Sequence, residues 1–201
     1  MGGVVMRVDK VIVRAFLSTL AAIVILFAFM VGALCLIYPQ TMMNITYDMG
    51  MERASIFFAE ESYDRSNDGY YIQFATEVAI GEENYEKISS CGEMLIADDE
   101  FSTLCAGEND AAAYEQFIYG QVCVAKYELG KHEEAVNCAF KWVQEDSFPR
   151  NNAIVAVLIT ALTNKDTETV MMIKGKMEEK SASISETDSA YFNEVFALIK
   201  E

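Results

Sequence analysis

The side chains with chemistry to offer are five cysteines, one histidine and a large set of neighbouring carboxylates. Cys35 sits in an apolar run, which leaves Cys91, Cys105, Cys123 and Cys138 as an even set. Outside the cytoplasm four such thiols could close two disulfides in any of three connectivities, for instance Cys91 with Cys105 and Cys123 with Cys138. Free cysteine is also among the most buried residue types, so Cys123 and Cys138 read equally as small core residues. No Cys-x-x-Cys occurs, so neither a zinc ribbon nor a thioredoxin-like site is expected.

His132 is the sole histidine. His132-Glu133-Glu134-Ala135-Val136 lacks the second histidine of a zinc-protease helix, and packing against a helix turn is the expected role. Carboxylates pair at Glu60-Glu61, Glu82-Glu83, Asp98-Asp99-Glu100 and Glu178-Glu179. Acid–base catalysis needs two such groups in one cleft with different environments, and runs on helix surfaces are ordinarily solvated. Asp98, Asp99 and Glu100 with Glu108 and Asp110 lack the alternating spacing of a known calcium loop. Phosphate-cradling glycine loops, a nucleophile elbow and a dinucleotide fingerprint are all missing, so no catalytic residue, metal or cofactor is expected. Asn44-Ile45-Thr46 is a formal glycosylation sequon close to the apolar run.

The elements that carry these residues begin with an anchor. Ala15 to Tyr38 is 24 residues without a charge. As a helix it would span roughly 36 Å, more than a hydrocarbon core of about 30 Å. A cleaved signal would have a shorter apolar region ending in small residues, and Ala33-Leu34-Cys35 is a poor cleavage site. Arg7, Lys10 and Arg14 precede the run, while the next cation after it is Arg53. The positive-inside rule therefore predicts residues 1–14 in the cytoplasm, a transmembrane helix over 15–38, and the rest outside. The chain carries 15 Lys and Arg against 31 Asp and Glu, a net charge of −16, and residues 39–201 alone hold 12 and 30. That sign excludes unselective nucleic-acid binding and should hold the body off anionic lipid.

Beyond the anchor the pattern is helical throughout, with 52% hydrophobic residues, eleven glycines and two prolines. Met42, Met43, Tyr47, Met51, Ala54 and Phe58 fall at helical spacing and predict one Met-rich juxtamembrane helix over 41–61. A turn-rich loop at 62–69 completes a segment 39–69. Helices are then expected over 70–80 with a stop at Gly81, 85–96, 110–129 closed by Gly130, 133–144, 151–162 and 166–179. A last helix, capped near Ser185 to Asp188, should end near Lys200. The acidic stretch 98–109 reads as loop, and Ser147-Phe148-Pro149 as a break. No period-two alternation exists, so the fold class is all-α. Short connections force antiparallel hairpins.

One hairpin has more. In Leu129-Gly130-Lys131-His132-Glu133-Glu134-Ala135, glycine ends a helix and Ala135 allows a close crossing. Residues 119–149 resemble a tetratricopeptide repeat, with His132 at the usual tyrosine and Cys123 at a small position. Ala79 to Ile88 and Asn164 to Met172 look like poorer copies. Tyr85, His132 and Asp166 are separated by 47 and 34 residues, so the periods are unequal. The resemblance implies, over 70–201, an α-solenoid of stacked hairpins with a concave protein- or peptide-binding groove, an irregular helical bundle being the alternative. By that analogy Tyr71, Gln73, Glu77, Tyr119, Val122 and Lys126 would line the groove, whose acidity suits a basic or amphipathic partner segment. The function expected is a membrane-anchored scaffold or adaptor. The alternative is a constitutive subunit of a membrane complex, held through the anchor and helix 41–61. An enzyme would need an enclosed polar pocket that the sequence does not advertise.

Overall fold

The computed structural model describes residues 5–106, 111–141, 153–180 and 186–197. Among them every regular element is a helix: α1 Val5–Ile37, α2 Pro39–Asp48, α3 Glu52–Ser66, α4 Gly69–Gly81, α5 Tyr85–Ala97, α6 Phe101–Ala106, α7 Ala111–Glu128, α8 His132–Lys141, α9 Ala153–Thr163, α10 Thr167–Glu179 and α11 Glu186–Ala197. The chain is all-α and built from helical hairpins behind a long apolar helix. The expected break at Ser147-Phe148-Pro149, Glu108 and Asp110 of the acidic run, Ser185 and the end near Lys200 lie outside the described residues.

Within α1 the span Lys10–Ile37 is long and apolar enough to cross a membrane, and its most apolar stretch is entirely unburied. Phe16, Leu26, Phe29 and Leu36 are each at least two-thirds exposed. In water each would forgo about 1.5–3 kcal/mol of burial, which is the physical case for a lipid environment. The helix stops at Pro39, which cannot supply a backbone N–H but suits the first position of α2. Arg65 at the end of α3 reaches back and donates from Nη1 to the Leu36 carbonyl at 2.6 Å, satisfying one of the orphan acceptors at the end of α1.

Four hairpins follow: α2/α3, α4/α5, α7/α8 and α9/α10. All four turn in the same way. A residue in left-handed conformation, at Gly50 (φ 67°), Glu83 (φ 52°), Gly130 (φ 75°) and Lys165 (φ 55°), follows the first helix. The next residue then donates its N–H five residues back, Met51 to Thr46, Asn84 to Ala79, Lys131 to Lys126 and Asp166 to Ala161, at 2.8–3.0 Å. This double-bonded C-cap consumes carbonyls that a helix end would leave bare. The interval from 83 to 130 is the longest, and it holds the short extra helix α6.

Successive hairpins stack. Helix α3 packs on α4, α5 on α7, and α7 on α9, while α8 lies against both α9 and α10. Two apolar clusters result. The first joins Met43 and Ile56 of the first hairpin to Ile72, Leu95, Phe101 and Ile118. The second joins Cys123 and Tyr127 to Val136, Phe140, Leu158 and Ile173, and receives Phe192 and Phe196 of α11. Helix α7 contributes to both.

Three local expectations need correction. The single Met-rich helix 41–61 is two helices, because Gly50 takes a positive φ that the helix pattern alone does not reveal. Residues 62–69 are not a loop: α3 runs on to Ser66, whose hydroxyl and that of Ser62 bond back into the helix, and only Asn67 and Asp68 connect it to α4. The acidic stretch 98–109 contains α6, held by Phe101 and Cys105, which are both buried. Because Met43, Ile56, Phe58 and Ala59 share a core with α4 and α5, the folded body starts at Pro39 rather than at residue 70.

Candidate functional site

The six residues assigned to a groove do not share one surface. Val122 is fully buried, since α7 is covered by α5, α8 and α9, so no partner reaches it. Lys126 is also buried, at 8% exposure. Its Nζ lies 2.7 Å from Glu93 Oε1 of α5 and 3.9 Å from Glu134 Oε2 of α8. Burial works against the ammonium, but the Glu93 carboxylate outweighs it and holds the Lys126 pKa above its ordinary value. Lys126 therefore ties three helices together. Tyr119 leans on Phe101 and donates to Glu115 Oε1 at 2.6 Å; burial first, then that carboxylate, push its hydroxyl pKa up.

The remaining three lie on α4. Gln73 Nε2 donates to Tyr114 OH and to Glu77 Oε1, both at 3.1 Å, and Tyr114 OH donates to Glu77 Oε1 at 2.6 Å. This triangle bridges α4 to α7. Tyr71, also on α4, is half-buried and edge-on to Tyr70.

Glu77 also lines an open cleft of about 500 Å³ beside the first two turns. Its floor is an edge-to-face aromatic pair, Tyr47 and Phe74, with centroids 5.2 Å apart. Glu52, Glu77 and Glu82 stand around that pair, and the cleft lining holds neither Lys nor Arg. Tyr47 is half-exposed. Aromatic faces beneath carboxylates suit a cationic or amphipathic side chain, which gains both a charge partner and a ring face. A second cleft of about 480 Å³, between the turns at 83 and 130, mixes Glu82, Glu83 and Glu86 with Arg53 and Lys87. Sequence reasoning missed the first cleft because Tyr47 and Phe74 belong to different hairpins, and the hairpin at 50 was not visible.

His132 sits in a packed junction. Its ring stacks on Tyr127 with centroids 4.5 Å apart, and Nδ1 lies 2.8 Å from Asp166 Oδ2 and 3.0 Å from Thr169 Oγ1. Tyr127 OH donates to Asp166 Oδ2 at 3.1 Å, and Thr169 donates to the same carboxylate through its hydroxyl at 2.6 Å and to Oδ1 through its N–H at 3.0 Å. Burial raises the Asp166 pKa, but these donors outweigh it and hold the carboxyl below its usual value. Thr169 is fully buried and so cannot meet a substrate. What the cluster does is couple α7/α8 to α9/α10.

Glu60 accepts from Lys87 Nζ at 2.6 and 2.7 Å and from the Cys91 thiol at 3.3 Å. Burial and that carboxylate push the Cys91 thiol up to about 12. Cys91 is thus a thiol held by Glu60, with no bridge to Cys105. Cys123 and Cys138 are also thiols, carried on the two helices of the α7/α8 hairpin, with Cys138 packed against the cluster that holds Cys123. Among the described residues no group of three His, Cys, Asp or Glu side chains is arranged to hold a metal.

No protein-family model, curated protein or solved structure matches the chain.

Proposed function

We propose that this protein is a membrane-anchored scaffold, whose tetratricopeptide-like hairpin stack offers an acidic, aromatic-floored surface to a basic or amphipathic segment of a partner protein. The observation that carries the reading is the junction of two features: an apolar helix with no buried face, and a stack of hairpins that all turn alike. A stack of this kind exposes long surfaces and encloses little, which suits holding a partner more than transforming a substrate. The cleft at Tyr47, Phe74 and Glu77, lined by aromatic rings and carboxylates without Lys or Arg, is the recess whose chemistry suits such a contact. The cations in the first turns of α1, ahead of its uncharged run, and the acidity beyond it argue for a cytoplasmic N-terminus and an extracytoplasmic body.

The test uses the full chain in membranes. A photo-reactive residue in place of Glu77 should give a discrete crosslinked adduct that weakens with salt, since charge capture is screened. The same residue in place of the exposed Glu178 should give none. Equal crosslinking at both positions would contradict the assignment. A second reading, a constitutive subunit of a membrane complex, is favoured by the exposed Met49, Met51 and Phe57 of the first hairpin. It predicts a salt-resistant adduct at Met49 and co-purification at fixed stoichiometry.

A further inference from the structure

The α7/α8 hairpin carries a pair of thiols that the scaffold reading does not use. Cys123 and Cys138 lie at equal sequence distance from the turn at 130–131, so antiparallel pairing sets them opposite one another, and Cys138 packs against the apolar cluster that contains Cys123. Their surroundings differ. Cys123 is fully buried in the second cluster, while Cys138 is part-exposed at its edge. Lys126 lies one turn beyond Cys123 on α7, with its ammonium near both sulfurs and anchored by Glu93.

We propose that Cys123 and Cys138 form a thiol–disulfide exchange site, with Cys138 the entry thiol and Cys123 the resolving thiol, and that the oxidant is a molecule bearing a disulfide.

The chemistry balances with that oxidant alone. The Cys138 thiolate attacks one sulfur of R–S–S–R, forming a Cys138–S–S–R mixed disulfide and releasing one thiolate. The Cys123 thiol then loses its proton and attacks Cys138 Sγ, releasing the second thiolate. Two cysteine thiols are oxidised to one disulfide, and one external disulfide is reduced to two thiols, which take up the two protons. The order follows from access and charge. An external disulfide reaches only Cys138. The Cys123 thiol, with the Lys126 ammonium, holds the Cys138 pKa below its ordinary value; burial foremost pushes that of Cys123 up. The thiol that can be reached is the one that ionises, and the one that must wait is protected until the mixed disulfide forms. The resulting bridge would staple α7 to α8 beside the Lys126 ion pair that links both to α5.

The test uses the reduced full chain in detergent, oxidised glutathione as the probe, acid quenching and peptide mass mapping. Wild type should yield a Cys123–Cys138 linked peptide. Cys123→Ala should instead stop at a glutathione adduct on Cys138, with at least a tenfold excess over wild type. Cys138→Ser should leave Cys123 unmodified. Because Cys123 is buried and its variant could unfold, far-UV circular dichroism accompanies each variant. Wild-type chain also supplies an independent readout: Cys138 should alkylate with iodoacetamide at least tenfold faster than Cys123, with a pH midpoint below the ordinary thiol value of about 8.5. A bridge that engages Cys91 or Cys105, a glutathione adduct on Cys123, or no bridge under excess oxidant would overturn the proposal.

Discussion

Helix α7 is crossed on one side by α5 and on another by α9, and each crossing involves a glycine. At Gly92 of α5 a Cβ would collide with Val122 Cγ2, so the two helices are in contact at glycine's own distance. At Gly120 of α7 a Cβ would meet the Ala156 Cβ of α9 at 3.4 Å, an ordinary contact. At the α5 seam the helix therefore has no room for a methyl group, whereas at the α9 crossing it has.

The largest effect should come from that seam. Gly92→Ala should destabilise the full chain in detergent by about 1–3 kcal/mol, because a close-packed crossing must open to admit a methyl group. Gly120→Ala should be neutral or stabilising by up to about 1 kcal/mol, since alanine is the better helix former and the methyl fits. Urea unfolding followed by circular dichroism measures both. Equal costs would remove the distinction between the crossings.

Next come the caps that start the second helices of two hairpins. Asn84 accepts one N–H, from Lys87 at 3.3 Å, whereas Asp166 accepts from Thr169 twice and from Tyr127, with His132 alongside. Asn84→Ala should cost about 0.5–1 kcal/mol and Asp166→Ala about 2 kcal/mol. The Asp166 carboxyl titrates below its unfolded value, so its contribution is complete above about pH 4 and is lost as pH falls through the folded value. Asp166→Asn should remove that part of the acid dependence, and urea midpoints followed from about pH 5 down to about pH 2 would reveal it.

The smallest effects belong to the turns. Glu83 and Lys165 hold left-handed conformations that strain any side chain bearing a Cβ. Either residue changed to glycine should stabilise by up to about 1 kcal/mol, while Gly130→Ala should destabilise by a similar amount. The sign reversal between Glu83 and Gly130 is the informative result.

These positions also mark how far the sequence could be read. The long apolar N-terminal helix was plain, because a charge-free run needs no tertiary information. Gly130 announced its turn through standard helix-end chemistry, while the cap role of Asp166 shows only in the structure. Gly81 misled: it belongs to α4, and the left-handed residue is Glu83, a type that gives no such signal. Gly50 broke a helix that side-chain periodicity alone continues. Two of the groove residues failed for a different reason. Their faces were assigned by analogy to the repeat family, and only the stacking of α5, α8 and α9 around α7 decides that Val122 and Lys126 are interior. The Gly92 crossing was invisible, since nothing near Gly92 in the chain names Val122 as its neighbour.

The central claim is that α1 spans lipid and holds the helical body on the far side. Sealed membrane vesicles of known sidedness, carrying the full chain, test it directly under alkaline carbonate and added protease. The chain should stay with the pelleted membranes, and residues beyond 39 should be cut only when protease meets the outer face. Release into the carbonate supernatant, or cleavage of the body from the cytoplasmic face, would contradict it.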